Sequence, residues 1–222
     1  MDISKLETKL SKDLSFRKQE ITILDKNVFS EKGKQPIIKS SFLVLYAHFE
    51  GFTKVAMRLY LEYINEQDIA VKHLIHNLQT LSHVSKIIDI RQSNSVRKYH
   101  ELTEIVNDND KIFKVKQKDK SIIDTESNLK YKKLMDFLFM LDLSPKDFKM
   151  NIEENIITLD TRQNFIDEKI VHKRNCIAHG ENIKLENNEF QEVKNFVIEY
   201  MDKLKDYILE VCNEEQYKLG NI

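Results

Sequence analysis

Arg174, Asn175 and His179 stand within one heptapeptide, Arg174-Asn175-Cys176-Ile177-Ala178-His179-Gly180, and their types suit chemistry at a phosphate. Arginine offers a planar, permanently charged fork that matches phosphodiester oxygens, and histidine titrates near neutrality, so it can accept or release a proton. These are the minimum parts for cleaving RNA. The ribose 2′-hydroxyl attacks the adjacent phosphorus, His179 acts as general base or acid, and Arg174 stabilises charge in the pentacoordinate transition state. Asn175 would orient His179 or bind phosphate. The route leaves 2′,3′-cyclic phosphate and 5′-hydroxyl ends and spares DNA, which lacks the nucleophile. It needs no metal and no cofactor, in keeping with a chain that has no HExxH spacing and no clustered carboxylates.

Helical geometry limits how these residues meet. Residues four apart share a face, which puts Asn175 near His179, whereas Arg174 is five from His179 and points about 140° away on an ideal helix. Arg174 and His179 surround one phosphate if the helix unwinds near Gly180, or if a cleft between two such helices supplies the second surface. Gly180 is a natural helix stop because it tolerates positive φ.

Other reactive side chains carry weaker signals. Glu50 and Lys54, four apart, form either an ordinary surface ion pair or a support for the site. His48 lies in an apolar context and reads as a core histidine. His73, His76 and His83 have spacings compatible with a metal on one helix, but no Cys or acidic set completes them, and no metal is expected. Cys176 reads as a small hydrophobe rather than a nucleophile, since no Cys-His-Asn arrangement accompanies it. Lys114, Lys116, Lys118 and Lys120 alternate with other residues and either touch RNA backbone or, by preference, protect a strand edge. The Tyr and Phe residues recur at helical spacing and belong to the core.

The elements that must position these groups are mainly helical. Four Gly and two Pro in 222 residues are too few for a sandwich or barrel, and no linker divides the chain, so an all-α antiparallel bundle in one domain is expected. Apolar spacing predicts an exposed amphipathic helix over about 3–26, within an N-terminal arm of residues 1–36. A central core helix follows over 37–64, a helix capped by Asp68 runs through about 88, and a short one spans 96–106. Residues 108–125 lose helical period and suggest a peripheral irregular or hairpin insertion. Beyond it, helices are expected over 128–143, 161–178 and 188–215, with 145–153 as turn and connector, so that residues 37–215 make the core bundle.

Thirty-five Lys plus Arg against 36 Asp plus Glu give a formal charge of −1, so any RNA contact must be local. Two distant cysteines, the lack of a secretory segment at Met1-Asp2-Ile3-Ser4-Lys5 and the lack of a long apolar run lead to the expectation of a cytoplasmic chain with free thiols and no membrane partner.

Arg174 to His179 resembles the Arg-x4-His motif of the HEPN superfamily, with the polar residue after Arg that its active ribonucleases usually carry, and Gly180-Glu181 also agrees. Leu45-Tyr46-Ala47-His48-Phe49-Glu50-Gly51-Phe52-Thr53-Lys54 is similar to the first-core-helix signature of free-standing bacterial HEPN proteins, and Asn128-Leu129 with its following helix fits the same group. The resemblance runs from about Lys39 to Cys212. It implies a helical bundle that forms a homodimer with its motif helices facing each other. It also implies an endoribonuclease of toxin or antiphage-defence type, with Arg174, Asn175 and His179 catalytic, Glu50 supporting, and an antitoxin or defence-system protein as partner. A two-fold axis would supply the second histidine that concerted acid and base catalysis favours. The alternative is a non-catalytic module that binds RNA, nucleotide or a partner protein and uses the same residues to anchor phosphate.

Overall fold

In the computed structural model, which describes residues 1–30, 34–93, 95–107, 110–116, 122–125 and 128–220, three long helices form the body of the chain. Helix α1 (Ile3–Ser30) buries Leu6, Leu10, Leu14, Ile21 and Val28 along one edge. Helix α2 (Gln35–Asn65) begins with Pro36 in its first turn, where a missing N–H is harmless, and buries residues on several sides. It lies against α1 and against the last long helix of the chain.

The first helix was expected as an exposed arm, and the structure makes it a wall of the bundle instead. Its charged residues, which suggest solvent in the sequence, form ion pairs across the seams: Lys9 with Glu62 at 2.6 Å, Lys18 with Asp202 at 2.6 Å and Asp25 with Lys194 at 2.7 Å. Where α1 crosses α2, Gly51 leaves room for the Arg17 guanidinium, which a Cβ there would meet at 2.7 Å and which Asp13 holds at 2.6 Å.

The helix expected from Asp68 to about residue 88 is broken. A short 3-10 turn (Val71–His73) is followed by α3 (His76–Leu81) and α4 (Val84–Arg91). The backbone near the turn bonds distant segments rather than its own next turn: Val71 N–H to Lys111 O at 2.9 Å, Ile75 N–H to Tyr217 O at 3.0 Å, and Leu219 N–H to His73 O at 2.9 Å. Asp68 itself sits at φ 51° and caps nothing there. Helix α5 (Val96–Asn107) forms as expected.

Residues 110–116 and 122–125 are irregular, yet they are not peripheral. Phe113, Val115, Ile122, Ile123 and Thr125 are buried. The Asn65 amide brackets Val115, donating to its carbonyl at 2.7 Å and accepting from its N–H at 2.9 Å. Lys114 and Lys116 alternate outward as expected, and Lys114 binds Asp68 at 2.8 Å; Lys118 and Lys120 lie outside the described residues.

Helix α6 (Tyr131–Met140) buries Leu134, Phe137, Leu138 and Met140. Where a simple connector was expected, strands β1 (Lys149–Ile152) and β2 (Asn155–Thr158) pair antiparallel, with Lys149 opposite Thr158 and Ile152 opposite Asn155. The hairpin escapes a sequence reading because its two turn residues, Glu153 and Glu154, hold φ of 51° and 65° without the Gly or Asn that normally marks such turns. A 3-10 turn (Leu159–Arg162) and a π-helical stretch (Phe165–His172) then lead into α7 (Lys173–Ala178). Helix α8 (Asn187–Asn213) starts with a capping box between Glu186 and Glu189 and closes the bundle against α1 and α2. Phe49, Phe148, Phe165, Phe196 and Tyr200 interlock at its centre, with neighbouring ring centroids 4.9–6.2 Å apart. Among the described residues no helix is long and apolar enough to cross a membrane.

Candidate functional site

Arg174 lies on α7 immediately after the π-helical stretch, whose wider turns change which side chains face the bundle. The consequence is an inward arginine. Its guanidinium lies over the Tyr46 ring of α2, 4.8 Å from the centroid, and Nη1 donates to Asn175 Oδ1 at 2.8 Å and to Asn128 Oδ1 at 3.2 Å. One nitrogen is thereby fixed by two neutral oxygens, so the charge is oriented without being neutralised. Arg174 has no ion-pair partner among the described residues.

Tyr46 is a structural hinge pin for this arrangement. Its hydroxyl accepts the buried Leu129 N–H at 2.8 Å, which anchors the segment that carries Asn128. Burial pushes that hydroxyl well above its ordinary pKa, and the nearby Glu50 carboxylate adds to the push while the Leu129 N–H and Arg174 oppose it. Tyr46 therefore remains a neutral phenol under any ordinary condition.

Glu50, the expected supporting residue, does not pair with Arg174. It accepts from Lys54 at 2.6 Å and from the Thr125 hydroxyl, and it approaches Tyr46. Burial would raise its carboxyl, but these hydrogen bonds prevail and hold it below the usual carboxylate range. Both Glu50 and Arg174 meet Tyr46. The Glu50–Lys54 pair is also no plain surface contact, because Glu50's side chain is only 13% exposed.

Asn175 turns its amide oxygen toward Arg174, and its link to His179 is through the backbone, with His179 N–H donating to Asn175 O at 2.9 Å. His179 is the helix C-cap at φ −88° and ψ 4°, and it is exposed. The chain then closes a Schellman turn: Gly180, at φ 74°, donates to Ile177 O at 3.1 Å, and Glu181 N–H donates to Cys176 O at 2.9 Å. Among the described residues the His179 imidazole has no partner, and no hydrogen bond joins it to Arg174. The structure thus brings Arg174 and Asn175 together and leaves His179 beside them at the open end of α7.

The remaining candidates fall away from this site. His48 is buried between α1 and α2, with Nε2 3.4 Å from Glu20 but without a good hydrogen bond; burial, then Arg17, lowers its pKa. Among the described residues no group of three His, Cys, Asp or Glu could hold a metal ion, and His73, His76 and His83 occupy a 3-10 turn, a helix start and a bend. Cys176 is buried 3.6 Å from His172, and the neighbouring Glu181 carboxylate, followed by burial, raises its thiol. Cys212 is likewise buried.

Sequence reasoning did not name Tyr46 or Asn128 as site residues. Tyr46 precedes Glu50 by one helical turn, which was a legible hint, but an aromatic within an apolar helix reads first as core. Asn128 reaches Arg174 only because the segment before α6 folds back over α7, and no spacing in the chain reveals that. A third contribution was also hidden: an open cavity of about 430 Å3, lined by Asn128, Lys130, Lys132, Lys133 and Asp136, adjoins the arginine's anchor.

Neither a curated protein nor a solved structure matches the chain. The profile of the HEPN_MAE_28990-like HEPN family matches residues 6–217. That span takes in α1, the central helix, the Arg174–His179 segment and nearly all of α8, and the chain belongs to this family of HEPN helical bundles.

Proposed function

We propose that this protein is a metal-independent endoribonuclease, cutting RNA by attack of a ribose 2′-hydroxyl to leave 2′,3′-cyclic phosphate and 5′-hydroxyl ends. The observation that carries the reading is the preparation of Arg174: stacked on Tyr46, steered by Asn128 and Asn175, without an ion-pair partner among the described residues, and five residues from the exposed His179. A guanidinium fixed before substrate arrives stabilises developing phosphorane charge without reorganisation. His179 transfers the proton.

Within one chain the imidazole lacks a partner to orient it among the described residues. That favours a homodimer in which two α7 ends face each other, so that each histidine is oriented at the shared cleft and one serves as base and the other as acid. The toxin or antiphage-defence role, with an antitoxin or defence-system protein restraining the activity, is supported by the family resemblance of the motif and first core helix. The same unoriented imidazole also gives substance to a second reading, a phosphate-anchoring module that binds RNA or nucleotide and cuts nothing.

Incubation of the purified protein with total RNA in excess EDTA, followed by mapping of new ends, separates the two. Cleavage leaving cyclic phosphates, lost in His179→Ala, supports the nuclease. RNA affinity retained in His179→Ala, with no cleavage by wild type, supports the binding module.

A further inference from the structure

The cavity beside Arg174 is lined mainly by cationic side chains. Over the short run Lys130-Tyr131-Lys132-Lys133, three cations face one carboxylate, Asp136, in a chain whose total charge nearly cancels. Lys130 and Lys132 are exposed, and neither has an ion-pair partner among the described residues. Lys133 is half-buried, and its contact with Asp136 is long, at 3.7 Å.

The backbone is held on either side of Lys130, and Lys132 and Lys133 follow on the first turn of α6. Leu129 N–H is fixed to the Tyr46 hydroxyl at 2.8 Å, and Tyr131 N–H donates to Asp167 of the π-helical stretch at 2.7 Å. These are the two elements that also place Arg174. Asn128 is the shared wall, since its side chain lines the cavity and accepts from Arg174 Nη1. The backbone that carries the cations is therefore held in register with the arginine. At about 430 Å3 the cavity lies within the roughly 300–1,000 Å3 of ordinary ligand clefts.

We propose that this cavity is a phosphate subsite for the single-stranded RNA, receiving a backbone phosphate adjacent to the one held at Arg174. The inference rests on the reading of Arg174 as a phosphate-binding group. Lys130 and Lys132 supply mobile point charges at the mouth, suited to backbone rather than base recognition, and Asn128 offers amide donors between the two phosphates. Flanking contact of this kind fixes register along the strand while leaving the choice of base to other residues.

The test is the salt dependence of binding to a short, fully 2′-O-methylated RNA strand, which keeps the phosphates and lacks the nucleophile. Wild type is compared with Lys130→Gln/Lys132→Gln, with Arg174→Gln, and with the remote pair Lys146→Gln/Lys203→Gln. Loss of the one phosphate contact should lower the slope of log affinity against log salt by about 0.7. Affinity near physiological salt should fall roughly tenfold, while thermal melting stays unchanged and the remote pair matches wild type. On cleavable RNA the same double variant should raise KM and leave kcat nearly intact. A slope unchanged in Lys130→Gln/Lys132→Gln but reduced in Arg174→Gln overturns the subsite alone. If neither variant alters the slope, or wild type does not bind, the phosphate role of Arg174 falls with it.

Discussion

Arg174 is positioned by neighbours that carry no net charge, and this decides what its removal should do. Arg174→Ala deletes a charge that no described carboxylate was balancing, so the fold loses a ring contact and two hydrogen bonds rather than an ion pair. His179→Ala removes an exposed side chain and should change stability by no more than about 0.5 kcal/mol. Both variants are expected to lose cleavage by a factor on the order of 100 or more, read as initial rates on a fixed RNA, while their circular dichroism spectra match wild type. Retained activity in either one would remove it from the mechanism. Glu50 yields a different prediction, because its carboxyl is held below the usual range in the folded chain. The stabilisation from its ionised form is present above the ordinary glutamate value, about 4.3, and is lost as pH falls through the lower folded value. Glu50→Gln should therefore be less stable than wild type at neutral pH, and the gap should narrow in acid, as followed by urea unfolding at several pH values.

At the scale of elements, the end of α7 sets where the imidazole emerges. Gly180 occupies the left-handed region at φ 74°, and a Cβ there would meet nothing within 4 Å, so the cost of Gly180→Ala is conformational and not steric. About 1–2 kcal/mol of destabilisation is expected from the backbone alone. Cleavage should fall by more than that loss of folded protein explains, since relaxing the Schellman turn moves His179. Parallel measurement of melting and of kcat on still-folded protein checks this; equal melting in both proteins would show that the turn is not under that constraint. The π-helical stretch serves a related purpose. It supplies Asp167 to the start of α6 and hands Arg174 toward Tyr46, so two elements distant in sequence register on each other.

For the whole molecule, the near balance of charge means that the proposed attraction to RNA has to be local, at the Arg174 end in the reading above, and not from a global field. The proposed homodimer makes this end a shared surface. Sedimentation should show a dimer at working concentration. Equal mixing of wild type with His179→Ala, after exchange of subunits, should leave about a quarter of the activity if each productive cleft needs both histidines. Half the activity would mean that each protomer works alone.

Much of the fold was legible because helix burial is periodic. The central helix, α5 and the last helix follow directly from apolar residues recurring at helical spacing, and Pro36 and Gly180 mark ends for steric reasons that any sequence displays. The candidate set Arg174, Asn175 and His179 could be picked out because reactive residue types were close in the chain. What failed to show were features made by contacts between distant segments. Residues 70–75 abandon helix because Lys111 and Tyr217 offer their backbone partners, and α1 becomes a wall because its charges meet opposite charges on α2 and α8. The 149–158 hairpin hides behind two glutamates in a conformation they seldom adopt. The same division runs through the site. Sequence alone named the candidate groups for binding and protonating a phosphate. Only tertiary structure decided that Tyr46, Asn128 and a lysine-lined cavity stand around Arg174, because those relations depend on a segment folding back across α7 and on backbone N–H groups that have to find acceptors once buried.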